Sequence, residues 1–323
     1  MALQLLLFVA GLFLLLQGAH YLIDGSVNIA RRFHVSRLVI GLTVVAMGTS
    51  APELTVNIIS AVKGQSELLL SNVNGSNLIN ILFILGVTAL VARIPVDRKL
   101  MTREFPYLVM SNVALFAMIA DSQMLSAGVL YRWEGVVLLL LFVMYMIHVF
   151  REARIVNKKA GHDKPQGGLG KNIAFLTLGG IGLVIGAQFM VDSAVSIATA
   201  LGVSATLIGI TIVALGTSLP ELAASIVAIQ KKETDLALGN VIGSNIFNTL
   251  LIVGVSSIIA PQPIVAQIQN SIDVAFVVIT SLLLLILLFI SNARKKKFEL
   301  SRGEGVVMIL VLCGYLAYIL IRG

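Results

Sequence analysis

Residues 41–86 read GLTVVAMGTSAPELTVNIISAVKGQSELLLSNVNGSNLINILFILG, and residues 209–254 read GITIVALGTSLPELAASIVAIQKKETDLALGNVIGSNIFNTLLIVG. The two stretches align without a gap at a constant offset of 168 residues, and 23 of the 46 paired positions are identical. The identities concentrate on glycine, proline, hydroxyl, amide and glutamate residues set in apolar sequence. Apolar filler drifts, so shared polar positions mark a site built twice, once by each half of the chain. Weaker matches extend the repeat to Asp24 and Asp192, Val35 and Val203, Ser36 and Ser204, and Pro95 and Pro263.

The 323 residues are 58% hydrophobic and 12% charged, with a mean hydropathy of +0.98. Those values lie outside the range of a soluble domain and describe an integral membrane protein in a lipid bilayer. A membrane-spanning helix takes roughly 20 apolar residues. Ten candidate spans result, at 3–23, 38–62, 68–91, 106–120, 132–150, 173–193, 205–229, 236–260, 272–291 and 305–321. The first begins without a basic residue before it and lacks a small-residue cleavage site, so it reads as a retained helix and not a signal peptide. Cys313, the only cysteine, lies in the last apolar run and reads as a packing residue.

Alternating the loops sends 20 of the 23 Lys and Arg residues to one side and leaves Lys63, Arg132 and Arg322 on the other. By the positive-inside rule the basic side is cytoplasmic, which places both termini outside the cell's inner or plasma membrane. The net charge of +7 and the run Arg294–Lys297 then serve topology near anionic headgroups, and no nucleic-acid partner is implied. Five spans per half is an odd number, so the halves insert with opposite orientation. The expected architecture is all-α, with ten transmembrane helices in two inverted five-helix repeats. The first repeat occupies 1–150, a cytosolic linker loop 151–172, and the second repeat 173–323.

Glu53 and Glu221 each sit deep in an apolar span. A carboxylate near the bilayer middle costs roughly 2.5 kcal/mol or more unless compensated. No Lys or Arg lies inside the repeats except Lys63, Lys231 and Lys232 at helix ends, which leaves a bound cation or protonation. In GTSAPE, Pro52 cannot donate to the carbonyl of Gly48, and in GTSLPE, Pro220 frees the carbonyl of Gly216. Each span is expected to break there and expose backbone oxygen, which is tolerated only where a cavity is lined. Thr49 and Glu53, Ser76 and Asn80, Thr217 and Glu221, and Ser244 and Asn248 are spaced by four, so each pair shares a helix face. Converging faces of this kind form an all-oxygen cage, the ligand set of hard cations such as calcium. No histidine or cysteine lies in either repeat, which disfavours zinc, copper and iron. His20, His34, His148 and His162 and the lone Trp133 read as interfacial. Gly41 and Gly86 read as helix-packing positions. The GSN triplets, Gly75 to Asn77 and Gly243 to Asn245, read as site elements that bring a hydroxyl with them.

GTSAPE followed by NGSNLIN, and GTSLPE followed by IGSNIFN, resemble the α-repeats of the sodium/calcium exchanger family within the cation/calcium antiporter superfamily. The resemblance covers nearly the whole chain. It implies sodium/calcium antiport by alternating access, with four central ion positions between the second, third, seventh and eighth helices. The first and sixth helices would slide against that core. Glu53 and Glu221 would be the calcium carboxylates, shared with sodium. Ala46 and Ala214 through their carbonyls, with Ser50, Ser76, Thr217, Ser218 and Ser244, would serve sodium. Thr49 would add an oxygen, and Asn80 and Asn248 would line the centre. Gly48, Pro52, Gly75, Asn77, Gly216, Pro220, Gly243 and Asn245 would support the helix breaks. Potassium-dependent relatives carry Asp at the position of Asn248, so exchange is expected to be potassium-independent. A calcium/proton antiporter of the same superfamily is the nearest alternative, and a cation channel is the alternative of another class. The chain is not expected to be an enzyme: neither HExxH nor paired protease-like aspartates occur. No cofactor is implied beyond the transported calcium and sodium, the linker carries no acidic regulatory cluster, and a monomer is the expected functional form.

Overall fold

The computed structural model describes residues 2–120, 128–156, 166–203 and 214–322. These are almost wholly helical. Among the described residues seven helices are long and apolar enough to cross a membrane: Ala2–Phe33, Ser66–Val91, Arg132–Ala153, Leu169–Ala200, Thr234–Ile259, Ile268–Arg294 and Arg302–Ile321. Arg37–Thr49 and Ala51–Val62 form a further candidate span bent by 50° at its break. The span expected at 106–120 corresponds to the later turns of the helix Arg98–Ile119, whose polar first turns keep it out of that group. The span expected at 205–229 falls partly outside the described residues and continues as the short helices Ala214–Gly216 and Leu219–Gln230. His162 and the linker residues 157–165 lie outside the described residues as well.

Two helices run well beyond their apolar windows. The span expected at 3–23 is the 32-residue helix Ala2–Phe33, and that at 173–193 is the 32-residue helix Leu169–Ala200. The extra turns of the first carry Asp24, Asn28, Arg31 and Arg32, which lower hydropathy without breaking a helix.

The chain divides into two compact units, each drawing on both halves of the sequence. The first comprises Met1–Pro52 and Val149–Gly243. Its two long helices meet along their glycines. A Cβ placed on Gly18 would stand 2.6 Å from the Leu183 nitrogen, one on Gly186 2.5 Å from that of Leu15, and one on Gly25 2.7 Å from that of Leu176. Backbones can approach this closely only where no side chain intervenes. Lys231 Nζ binds Asp24 Oδ1 at 2.5 Å and fastens the Leu219–Gln230 helix end to the first helix.

The second unit comprises Glu53–His148 and Ser244–Gly323. Two short antiparallel ribbons cross-brace its loops, Ile94–Pro95 with Glu299–Leu300 and Gly128–Leu130 with Ile264–Ala266. Tyr145, Phe105 and Phe247 are its largest fully buried side chains, and Phe142 meets Phe247 edge-on at 5.0 Å. Cys313, expected to pack, is instead exposed. The buried stripe of its helix runs through Met308, Leu312 and Tyr315, and position 313 falls off that face.

The 168-residue offset is visible in the backbone itself. His34 and Gly202 both end helices with positive φ, at 53° and 79°, and so do Gly64 and Lys232, at 68° and 60°. A π-helical turn at Ile79–Ile84 has its counterpart at Phe247–Ile252. Non-glycine residues rarely adopt positive φ, so its recurrence at His34 and Lys232 shows that the repeat dictates the turn there against local preference.

Candidate cation-binding site

In the first unit the helix Ala46–Thr49 stops at Ser50, whose φ of −83° and ψ of 11° leave the helical region. Across the repeat, Ser218 at φ −89° and ψ 4° precedes the helix Leu219–Gln230, with Pro220 in its first turn. Proline is favoured there because the first helical N–H groups have no partner to lose. Glu221 therefore occupies a helix first turn, where the macrodipole favours an anion. Its side chain is fully buried, and Ser50 Oγ donates to Oε1 at 2.8 Å, joining residues 171 apart in sequence. Thr49 Oγ1 donates to Asn240 Oδ1 at 3.0 Å, while Asn240 Nδ2 donates to the Glu221 carbonyl at 3.3 Å and to Ser225 Oγ at 3.1 Å. Asn240 thus ties Thr49 to the backbone that carries Glu221. The Ala46 carbonyl accepts from the Ser50 N–H at 3.0 Å and from Thr49 Oγ1 at 3.3 Å. Ser218 Oγ is buried and has no hydrogen-bond partner among the described residues. Thr217 is half-buried, and Ala214 opens the short helix Ala214–Gly216.

In the second unit Glu53 lies in the first turn of Ala51–Val62, the same position that Glu221 holds in its helix. It too is fully buried, and Ser76 Oγ donates to Oε1 at 3.2 Å. Asn80 and Asn248 each stand second in a π turn, and their carbonyls accept from the N–H groups of Leu85 and Val253, five residues on. Such turns insert one residue into an α-helix and concentrate at functional sites. Both amides are fully buried. Neither polar atom of Asn80 has a hydrogen-bond partner among the described residues, and neither does Asn248 Oδ1. Buried polar groups are nearly always paired, so amide oxygens left over inside a protein are what a cation would use.

The helices are interrupted at Ser50 and Ser218, and Pro52 and Pro220 stand in the first turn of the helix that follows each interruption. The glycines divide. A Cβ on Gly41 would meet the Leu236 carbonyl at 2.6 Å, as expected of a packing position, and one on Gly243 would meet that of Leu42 at 2.7 Å. Gly48 and Gly75 have open space instead. Gly216 and Gly86 face the side chains of Val191 and Ile309. Asn77 Nδ2 donates to Thr249 Oγ1 at 2.9 Å, and Ser244 and Asn245 are fully buried. The residues that motif reading passes over are Asn240, Thr249, Asn112 and Ser281. Each is a buried polar side chain in an apolar helix, which is the signal that could have found them. Among the described residues no group of three or more His, Cys, Asp or Glu side chains gathers, so a cation here would rest on carboxylate, hydroxyl, amide and carbonyl oxygen.

A family model described as "Sodium/calcium exchanger protein" matches residues 3–151 and 171–321. The chain is 31% identical to the sodium/calcium exchanger MaX1 of Methanosarcina acetivorans, over 96% of this chain and 97% of that one. It is 33% identical to the inner membrane protein YrbG of Escherichia coli, over 95% and 94% of the two chains. A solved structure of the sodium-calcium exchanger NCX_Mj, soaked with 2.5 mM Na+ and 10 mM Sr2+, superposes with a TM-score of 0.80 at 33% identity, covering 100% of this chain and 99% of that one. The chain is thus a multi-pass membrane protein of the sodium/calcium exchanger family, whose members are cation/calcium antiporters.

Proposed function

We propose that the protein exchanges sodium for calcium across the cell membrane by alternating access, without potassium, using Glu53 and Glu221 as the carboxylates of the transported ions. The observation that carries this reading is the environment of each glutamate. Both are fully buried in a helix first turn, and each accepts a hydrogen bond from a serine hydroxyl, Ser50 for Glu221 and Ser76 for Glu53. A hydroxyl that donates to a carboxylate can rotate to present its oxygen to a cation beside it. Carboxylates handling protons alone need no such companions, which favours sodium over protons as the coupling ion. The remaining oxygens come from Thr49, Thr217, Ser218, Ser244, Asn80 and Asn248 and from the carbonyls of Ala46 and Ala214.

With asparagine at both 80 and 248, the proposed ligands carry two formal negative charges, which one calcium ion neutralises and three sodium ions exceed by one. The proposed ligand positions include no third carboxylate to hold a potassium ion as well. Ten spans in two oppositely inserted halves, with both termini outside, follow from the one-sided distribution of Lys and Arg. The test is radioactive calcium uptake into reconstituted vesicles, with sodium, potassium and proton gradients imposed one at a time. Uptake driven by outward sodium alone is expected. Uptake that follows the pH gradient without sodium, or that requires potassium, would overturn the assignment.

A further inference from the structure

Asn248 is the first member of a directed hydrogen-bond chain that leaves the repeats. Its Nδ2 donates to Asn77 Oδ1 at 3.2 Å, Asn77 Nδ2 to Thr249 Oγ1 at 2.9 Å, and Thr249 Oγ1 to Asn112 Oδ1 at 2.9 Å. Asn112 Nδ2 then donates to Ser281 Oγ at 3.0 Å, and Ser281 Oγ to the Val277 carbonyl at 2.8 Å. All five side chains are at most 1% exposed, so no solvent competes along the line. Asn112 belongs to the helix Arg98–Ile119 and Ser281 to Ile268–Lys295, neither of which carries a motif residue.

The direction of this chain is set at its far end. A backbone carbonyl only accepts, so Ser281 gives its proton to Val277 and must accept from Asn112. Asn112 then turns its amide nitrogen to Ser281 and its oxygen to Thr249, Thr249 donates to it, and the same logic passes through Asn77. Asn248 is left donating its nitrogen inward, with Oδ1 buried and without a partner. Reversing the whole line forfeits the Ser281 bond to Val277 and turns the Asn248 nitrogen outward.

We infer that Asn112 and Ser281 are positioning residues that act through Thr249 and Asn77 to hold the Asn248 amide with its oxygen presented to calcium. The inference rests on Asn248 being an ion ligand, as proposed above. It also separates the two repeats. The counterpart of Thr249 at the 168-residue offset is Ile81, which cannot relay a hydrogen bond, and neither atom of Asn80 has a partner among the described residues. One amide is fixed in orientation; the other is not.

The test measures half-saturating calcium for uptake into sodium-loaded vesicles by Ser281→Ala, Ser281→Thr, Asn112→Leu and Asn248→Ala, each also checked for membrane insertion and thermal unfolding. Ser281→Ala and Asn112→Leu should raise half-saturation roughly three- to tenfold, on the scale of one net hydrogen bond, with maximal rate retained. Ser281→Thr, which keeps the hydroxyl, should restore it. In the Asn248→Ala background neither substitution should have a further effect. Wild-type half-saturation in Ser281→Ala and Asn112→Leu, with Asn248→Ala impaired, overturns the relay and spares the binding reading. So does an Asn112→Leu effect that persists without Asn248, which would mark a packing role. Wild-type behaviour of Asn248→Ala removes Asn248 from the site and both readings with it.

Discussion

Replacing Glu221 by glutamine separates charge from shape. The amide has nearly the same volume, and its carbonyl oxygen can still accept from Ser50 Oγ, now 2.8 Å from the carboxylate. Folding stability should therefore stay within about 1 kcal/mol of the parent. The ion loses much more. A calcium ion about 2.4 Å from a carboxylate oxygen is attracted by roughly 14 kcal/mol at an effective dielectric of about 20. Dehydration of both charges offsets most of that. If only a quarter survives, about 3.5 kcal/mol, the loss on neutralisation is roughly 300-fold in affinity. Glu221→Gln should accordingly insert and unfold like the parent while its half-saturating calcium rises by more than about 100-fold. Glu221→Asp keeps the charge but draws it back by one methylene from Ser50, and should fall between the two. The assay is radioactive calcium uptake into sodium-loaded vesicles, with thermal unfolding in detergent measured alongside. A Glu221→Gln protein whose half-saturation stays within about threefold of the parent would refute the reasoning, because a fully buried ligand carboxylate cannot be neutralised at so small a cost.

Asn240→Ala removes three hydrogen bonds, to Thr49, Ser225 and the Glu221 carbonyl. It should cost about 1–3 kcal/mol of stability and weaken calcium activation, seen as a lower melting temperature and a raised half-saturation together. Pro52→Ala restores an N–H able to bond the Gly48 carbonyl. Uptake should drop severalfold without loss of thermal stability; unchanged uptake would mean that the break at Ser50 does not depend on proline. Gly18→Val places a branched side chain where even a Cβ would stand 2.6 Å from the Leu183 nitrogen. Forcing the two long helices apart should cost at least about 2 kcal/mol, read as a melting temperature several degrees below the parent.

What the sequence showed of the site was its covalent chemistry. Pro52 and Pro220 announce the helix breaks because the missing N–H is a property of the residue, and Glu53 and Glu221 stand out because a carboxylate has no place in an unmodified apolar span. The serine partners were visible as motif members but not as partners: nothing in GTSAPE says that Ser50 reaches the glutamate of the other repeat instead of its own. The π turns at Asn80 and Asn248 were invisible, since INILFI and FNTLLI have the composition of ordinary α-helix and nothing local marks the extra residue. Asn112 is, in sequence, only a polar residue inside the span expected at 106–120. Its meaning depends on Ser281, 169 residues away, and no local pattern predicts such a pair. The long helices were underestimated for a different reason. Hydropathy measures where a helix leaves the bilayer, and the turns carrying Asp24, Asn28 and Arg31 continue after that point.

The glycine seam between Ala2–Phe33 and Leu169–Ala200 has a mechanical corollary. Side chains that interlock like teeth can slip by one notch, but two backbones pressed together at Gly11, Gly18, Gly25, Gly179 and Gly186 have no notch to slip into. Displacing one helix along the other would drive a leucine or phenylalanine into a gap too narrow for a single methyl. The pair is in effect one double-width slat, and in the most apolar stretch of each helix only 22% of the residues are buried. If this part of the molecule travels during exchange, both helices must travel together, and a tag on either one reports the displacement of both.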